Sequence, residues 1–365
     1  MIAFRRPDSI FSALVLGLCI LGIIILSSAS SVEAFQSLGD PNGYLKKQLL
    51  SLLIGIFFVF LIIRVDYHFF CKLSVWIFVL AFILQFIPFI PGVGSELLGA
   101  HRWINVGGLF FQPSEFLKFA MLIYLSSWLP KIRNDWQDVR KTLLPFTGIL
   151  AFAGLILMLQ SDLGTTIIIF LTSTIMYFSS GAPKRHLLML LLGAVVALAL
   201  MVKLEPYRTS RLTIFLNPDA DTQGTGYHIN QSLLAIGSGG IFGRGLGKSI
   251  QKFNYLPEAS GDSIFAIAAE ELGFIVVLGI VAMYVAIFIR GRQLARQTTD
   301  ESGRLIIIGT ISWITLQAFI NIGALTALLP LTGVPLPFVS NGGTALIISL
   351  AAVGVFLNVT KQLRS

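Results

Sequence analysis

Residues 263–289 read SIFAIAAEELGFIVVLGIVAMYVAIFI, from Ser263 to Ile289, with Glu270 and Glu271 as their only charges. A helix needs about 20 apolar residues to cross the hydrocarbon core of a bilayer, and this run exceeds that length. It is apolar all round, whereas a helix on a soluble protein keeps one polar face. Nine more such runs lie near 10–30, 45–63, 73–91, 112–130, 143–160, 163–180, 187–203, 305–329 and 341–360. The chain therefore reads as an all-α membrane protein with ten transmembrane helices, forming a single polytopic domain over 1–365.

The composition agrees. The 365 residues are 55% hydrophobic and 12% charged, against roughly 25% charged in soluble chains, and the mean hydropathy is +0.83. This excludes an ordinary soluble enzyme, a disordered chain and a collagen. Cys19 and Cys71 offer neither a disulfide framework nor metal-ligand spacing. Arg5 and Arg6 precede the first run, and Val32-Glu33-Ala34 resembles a cleavage site. The apolar core is longer than a secretory signal's, so an uncleaved first helix is expected.

Lys and Arg bias sets orientation, because cytoplasmic connections hold the excess. One alternate set of connections carries Arg5, Arg6, Arg64, Lys72, Lys131, Arg133, Arg140, Lys141, Lys184, Arg185 and the basic residues from Arg290 to Arg364. The short connections of the other set carry Lys46, Lys47 and Arg102. Both termini are expected to be cytoplasmic, with one long extracytoplasmic loop, 204–262, between helices 7 and 8. The net charge of +8 follows from this bias and from attraction to anionic lipid; no nucleic-acid partner is implied.

The long loop is the natural place for chemistry. Its Gly237-Ser238-Gly239-Gly240-Ile241-Phe242-Gly243-Arg244-Gly245-Leu246-Gly247-Lys248-Ser249 resembles a phosphate loop but fits neither the P-loop nor the G-x-G-x-x-G register. Tight turns with close backbone packing are the plainer expectation. Ser238 does not sit in a G-x-S-x-G nucleophile elbow. His68, His101, His186 and His228 lie apart, without metal-ligand spacing, and read as solvated or hydrogen-bonded loop residues.

Asp262 ends the loop directly before the eighth span. It reads either as a helix cap or as a functional carboxylate; Asp162, after Gln160-Ser161, reads more strongly as a cap. Glu115 and Lys118, at i and i+3 on one helix face, are a structural ion pair or a substrate contact. Glu270 and Glu271 are the most anomalous charges, since ionisable groups at membrane depth are costly. Lys118, Arg102, Arg208 and Arg211 are their expected partners. Three prolines in Leu329-Pro330-Leu331-Thr332-Gly333-Val334-Pro335-Leu336-Pro337-Phe338 forbid a regular helix. That stretch is either a plain outer loop or a re-entrant segment lining a groove for a lipid tail.

Several of these segments, in order, resemble the SEDS family, the FtsW/RodA/SpoVE membrane glycosyltransferases of bacterial cell-wall synthesis. Gly99-Ala100-His101-Arg102-Trp103-Ile104 with Gln112-Pro113-Ser114-Glu115-Phe116-Leu117-Lys118 is similar to the family's G-A-x-R-W-I…Q-P-[SA]-E-x-x-K. Gln160-Ser161-Asp162-Leu163-Gly164-Thr165 resembles Q-P-D-L-G-T, with Ser for Pro. Gly226-Tyr227-His228-Ile229-Asn230-Gln231-Ser232 resembles G-Y-H-I-x-Q-S. Tyr255-Leu256-Pro257-Glu258 through Glu270-Glu271-Leu272-Gly273 resembles Y-L-P-E-x-H-T-D-F-I-F…E-E-L-G. Pro335-Leu336-Pro337-Phe338-Val339-Ser340-Asn341-Gly342-Gly343 resembles P-L-P-F-[IV]-S-Y-G-G. Ser260-Gly261 replaces His-Thr, Ser263 replaces an aromatic and Asn341 replaces Tyr. The Tyr-Leu-Pro-Glu-Ala form and the Ser27-Ser28-Ala29-Ser30 opening look more like FtsW than RodA.

The resemblance implies a peptidoglycan glycosyltransferase of the bacterial cytoplasmic membrane, with its active site facing outward, polymerising lipid II in cell division or elongation. It implies Asp262 as general base on the acceptor GlcNAc 4-hydroxyl, with undecaprenyl pyrophosphate leaving. Arg102, Glu115, Lys118, Asp162, Arg208, Arg211, Gln231, Glu258, Glu270, Glu271 and Ser340 are the expected substrate-binding positions. No dedicated metal cage is visible, so any divalent cation, Mg or Mn, would be shared with substrate. The expected partners are a class B penicillin-binding protein and other division or elongation membrane proteins. A lipid II flippase and a non-catalytic divisome scaffold are the alternatives.

Overall fold

The computed structural model describes residues 7–97, 100–106, 109–204 and 224–363. Every expected run is answered by a helix: α1 Ser9–Ala29, α3 Gly43–Ile62, α4 Tyr67–Leu84, α5 Pro113–Trp128, α6 Leu143–Leu159, α7 Leu163–Ser179, α8 Lys184–Leu204, α10 Ile264–Gln297, α11 Glu301–Leu325 and α12 Gly343–Thr360. Among the described residues, two α-helices were not expected, α2 Ser31–Leu38 and α9 Thr225–Ser238, the latter inside the long loop. Among the described residues, six helices are long and apolar enough to cross a membrane: α1, α3, α4 with its continuation to Phe89, α10, α11 and α12. α6 and α7 are shorter apolar helices. The chain is a multi-pass membrane protein.

Helix ends follow local chemistry. α4 starts and stops before the expected 73–91: Asp66 caps it by accepting from His68 N, and the 3₁₀ turn Ile87–Phe89, with Pro88, follows it. Proline lacks the N–H that a helix interior needs. Pro113 opens α5 at a position where that N–H is not missed. Asp300 caps α11 through Gly303 N at 2.7 Å.

The all-α expectation misses one element. Gly94–Leu97 (β1), Ala100–Val106 (β2) and Leu109–Phe111 (β3) form an antiparallel sheet with Gly94 opposite Ile104 and Ile104 opposite Phe111. Pro88 and Pro91 stop helical propagation ahead of it, and the backbone finds its hydrogen bonds between strands instead.

α11 and α12 are central, 78% buried over their apolar windows, whereas α3 and α4 are 17% and 22% buried. Leu53, Phe57 and Phe60 of α3 and Trp76 of α4 face outward, as expected where lipid is the solvent. Association in lipid relies on close packing of small residues. Gly55 packs on Leu350, and Gly354 on Val59 and Ile62, bringing α3 and α12 together. Asn358 then caps the α3–α4 turn: Nδ2 donates to the carbonyls of Ile62, Ile63 and Val65, and Oδ1 accepts from Tyr67 N. Those are carbonyls a helix end leaves unsatisfied.

Polar contacts sort the two ends of the bundle. Arg290 with Asp8, Tyr67 with Asp300 and Arg133 with Glu301 meet at one end. Glu33 with Ser260, Gln48 with Ser340 and Arg102 with Gln160 meet at the other. The residues singled out for chemistry lie toward this second end.

Candidate active site at one end of the bundle

Asp262 sits half-buried at the start of α10. The cap of that helix is Ser263, not Asp262 as the simplest sequence reading had it, and Ser263 makes no side-chain capping bond. Its hydroxyl lies 2.8 Å from Pro257 O, 3.3 Å from Asp262 Oδ1 and 2.6 Å from His228 Nε2 of α9. The turn before it is tight: the Glu258 carbonyl accepts from Gly261 N and Ser263 N, and Glu258 has φ 49. Ser260 Oγ donates to Glu33 Oε2 at 2.6 Å, so the turn is tied to α2.

The proline-rich stretch faces this turn. Leu331, Val334, Leu336, Phe338 and Val339 are buried. Phe338 packs its backbone on Gly22 within α1, and Tyr284, well inside α10, donates to Pro337 O at 2.5 Å. The stretch therefore dips among the helices, as the re-entrant reading had it. Gly333, at φ 65, approaches the base candidate: a Cβ built there would stand 3.7 Å from Asp262 Oδ2. Asn321 of α11 joins the two segments, donating at 2.7 Å to both Asp262 O and Val334 O. Ser340 Oγ accepts from Leu336 N, and Asn341 N donates to Ser260 O. Ser340 thus shapes the stretch that contacts the Asp262 turn.

Glu115 and Lys118 form a buried ion pair at 2.8 Å. Lys118 Nζ also donates to Gln317 Oε1, and Gln317 Nε2 donates to Pro335 O. Gln317 and Asn321 are i and i+4 on α11, so one helix face links the ion pair to the backbone beside Asp262. Asp162 caps α7 by accepting from Thr165 N, and also accepts from Ser114 Oγ of α5. Arg102 donates to the carbonyls of Gln160 and Ser161, closing the α6–α7 turn. Gly164 packs against Thr332 and Val334, so this turn also supports the proline-rich stretch.

Glu270 and Glu271 find different partners from those expected. Glu271 Oε1 accepts from Lys252 Nζ at 3.0 Å, Ser28 Oγ at 2.7 Å and Ser249 N at 3.1 Å. Glu270 accepts from Ser249 Oγ, Ile250 N and Gln251 N, and pairs with Arg244 at 3.3 Å. Neither Lys118 nor Arg102 has either glutamate among its bonds. Arg208 and Arg211 lie outside the described residues. The glutamates hold the glycine-rich loop, which in turn mends a break in α10. Gly273 has φ 80 and ψ 177, so Phe274 N and Ile275 N lose their helical acceptors at 270 and 271. They donate instead to Gly240 O and Ile241 O, while the freed carbonyls of Glu270 and Glu271 accept from Arg244 N and Gly245 N. The glycine run serves close backbone packing, as expected: a Cβ at Gly239 or Gly243 would collide with α10 backbone.

Glu258 reaches the surface, yet the crowding of the turn pushes its carboxyl up, and the Glu33 carboxylate adds to this. Water at its exposed edge keeps the effect small. Gln231 is half-buried on α9. Glu258, Asp262 and Ser340 are thus brought together; Arg102 and Asp162 meet at a supporting turn; Glu270 and Glu271 anchor the loop. Sequence reasoning missed Lys252, Ser249, Gln317 and Asn321; it read His228 as a solvated or hydrogen-bonded loop residue, and the structure puts it on a helix, α9, hydrogen-bonded to Ser263. Among the described residues, no three His, Cys, Asp or Glu side chains cluster as a metal would require.

The profile of the FtsW, RodA and SpoVE family, described as "Cell cycle protein", matches residues 8–365. The chain belongs to this SEDS family. It is 41% identical to stage V sporulation protein E of Bacillus subtilis over 358 residues, covering 98% of each chain. It is 38% identical to a probable peptidoglycan glycosyltransferase FtsW of Geobacter sp., covering 94% of each. Its fold is similar to a chain in a solved peptidoglycan synthase complex described as coordinating polymerization and crosslinking, with TM-score 0.78, 27% identity and 97% of each chain covered. It is also similar to the crystal structure of rod shape determining protein RodA of Thermus thermophilus, with TM-score 0.71, 26% identity and 98% of each chain covered.

One departure from the SEDS pattern has a local consequence. Ser161, where the pattern has Pro, adopts φ 60, and a proline ring cannot leave φ near −65°. The α6–α7 turn of this SEDS chain is therefore incompatible with the pattern's residue. Arg102, which binds the carbonyl of Ser161, compensates for a backbone conformation that costs roughly 1–2 kcal/mol in a non-glycine residue.

Proposed function

We propose that this chain is a peptidoglycan glycosyltransferase that polymerises lipid II, with Asp262 as its general base. The observation that carries the reading is the setting of Asp262: a half-buried carboxylate where a tight turn meets a re-entrant stretch at one end of a membrane bundle. The acceptor GlcNAc 4-hydroxyl gives its proton to Asp262 as its oxygen attacks C1 of the donor MurNAc. The C1–O bond to the undecaprenyl pyrophosphate breaks, and the diphosphate carries the electron pair away. A diphosphate leaves as a stable anion, so the second carboxyl acid that assists a sugar leaving group is not needed.

Cations serve the diphosphate better. Arg208 and Arg211 are proposed for this role. Lys118 and Arg102 would have to exchange Glu115 and Gln317, and the carbonyls of 160 and 161, for phosphate oxygens. Glu258 and Gln231 are proposed to contact the sugars. The full assignment comprises ten spans, cytoplasmic termini, loop 204–262 outside the cytoplasmic membrane and one functional unit over 1–365. A class B penicillin-binding protein would crosslink the product.

In a flippase, Glu270 and Glu271 would serve as intramembrane coupling charges. Their bonds to Lys252, Arg244 and Ser249 support loop anchoring instead. Purified protein given labelled lipid II separates the readings. Glycan polymer is expected; lipid translocation in vesicles without polymer would make the chain a flippase, and neither product would leave a scaffold.

A further inference from the structure

We propose that His228 is a positioning residue that acts through Ser263 to orient the Asp262 carboxylate. The proposal rests on the reading of Asp262 as the base. Proton inventory carries it. Pro257 O can only accept, and an ionised carboxylate can only accept. Were the single Ser263 proton given to His228, the Ser263 oxygen and Pro257 O would face each other at 2.8 Å with no hydrogen between them, so that proton serves Pro257 O or, at 3.3 Å, Asp262 Oδ1. In both cases the 2.6 Å contact with His228 Nε2 requires the imidazole to be the donor, so His228 carries its proton on Nε2. With one lone pair held by His228, the hydroxyl proton is directed toward Pro257 O and Asp262 Oδ1.

Two further observations point the same way. Ser263 occupies the cap position of α10 but makes no side-chain cap; a serine there ordinarily accepts from the helix's first N–H groups, and this hydroxyl is turned to His228 and Asp262. Ser263 is also fully buried, so water does not compete for the link. A serine stands here where the SEDS pattern has an aromatic side chain, so the link is a feature of this chain. During transfer, Asp262 gains the acceptor's proton and ceases to attract the Ser263 proton, which turns to Pro257 O. Once the proton is lost to solvent, the donation to Oδ1 returns. No bond to His228 breaks in this cycle, so the imidazole holds geometry and is not a base.

The test is a double-mutant cycle on the full-length protein with labelled lipid II, reading kcat and KM separately. Ser263→Ala and His228→Ala are each expected to lower kcat about tenfold to 10²-fold, the range of a misplaced catalytic group, with KM unchanged. The double variant is expected to be no worse than the weaker single one, because both remove one link. His228→Gln, which can place a donor near the Nε2 position, is expected to restore most of kcat; His228→Asn, whose amide is shorter, is not, and it replaces His228→Ala if that variant does not fold. Wild-type kcat in Ser263→Ala, multiplying losses in the double variant, or a rise in KM alone would overturn the proposal. Asp262→Asn, run in parallel, keeps the two claims apart: activity there would overturn the base assignment itself.

Discussion

Asn321 Nδ2 donates to the backbone carbonyl of Asp262 at 2.7 Å and, at the same distance, to that of Val334. One buried amide thus fixes the separation between the turn that bears the proposed base and the re-entrant stretch that faces it. Gln317, one turn earlier, holds Pro335 O and ends the chain of bonds from the Glu115–Lys118 pair. The site is positioned from the middle of the bundle outward.

Asn321→Ala would leave two carbonyls without this donor, at roughly 1–3 kcal/mol for each buried group. The melting temperature in detergent is expected to fall, and polymer yield to fall further than lipid II binding does. Unchanged polymerisation at wild-type stability would show that the two segments keep their spacing without Asn321.

The break in α10 makes a second prediction. Gly273→Ala imposes a side chain at φ 80 against the backbone of 241–243, with roughly 1–2 kcal/mol of backbone strain and about 1–3 kcal/mol of overpacking. Gly279→Ala in the same helix meets open space and serves as the control. Limited proteolysis of loop 239–254 and thermal unfolding are expected to separate the two variants. Equal behaviour would deny that the loop depends on the break.

Lys252→Met would leave Glu271 buried without its cation. Breaking a buried pair costs about 3–5 kcal/mol, and removing both charges costs much less. The double variant Lys252→Met/Glu271→Gln is therefore expected to melt above the single Lys252→Met. A double variant melting below it would mean that Ser28 and Ser249 alone keep Glu271 in place.

How much of this was legible in sequence depended on the range of the signal. Hydropathy is summed over neighbours, so all ten helical runs were readable, as were the Pro113 start of α5 and the Asp162 cap of α7. The partners of Glu270 and Glu271 were not readable. Ser249 and Lys252 precede them by about twenty residues in a glycine-rich stretch, and nothing local says which way that loop folds back. His228 and Ser263 are 35 residues apart, and Asn321 is 59 from Asp262. The sheet over 94–111 was hidden because its strands are short and partly apolar, and read as ordinary connection. The three prolines of 329–338 announced an irregular segment, without saying how deep it lies.

Glu258 gives a pH prediction. Its carboxyl is pushed above the ordinary 4.5, first by burial and then by Glu33. The folded state therefore holds this proton more tightly than the unfolded state. Its stabilising contribution is complete below about 4.5 and is lost as pH rises through the raised value. Glu258→Gln is expected to melt slightly above wild type at pH 7, within about 0.5 kcal/mol as for an exposed position, with the gap closing toward pH 4.5. A gap that widens on acidification would reverse the sign and place an attractive charge beside Glu258.

The most direct measurement is polymerisation of labelled lipid II by purified wild-type protein and by Asp262→Asn, each with the proposed class B penicillin-binding partner present. The amide keeps the size of the carboxylate and removes its basicity. The variant is expected to fold, to bind lipid II and to lose at least about 10²-fold in polymerisation rate, the lower range for general-base assistance. Glycan strands formed at the wild-type rate would contradict the assignment of Asp262 as the base.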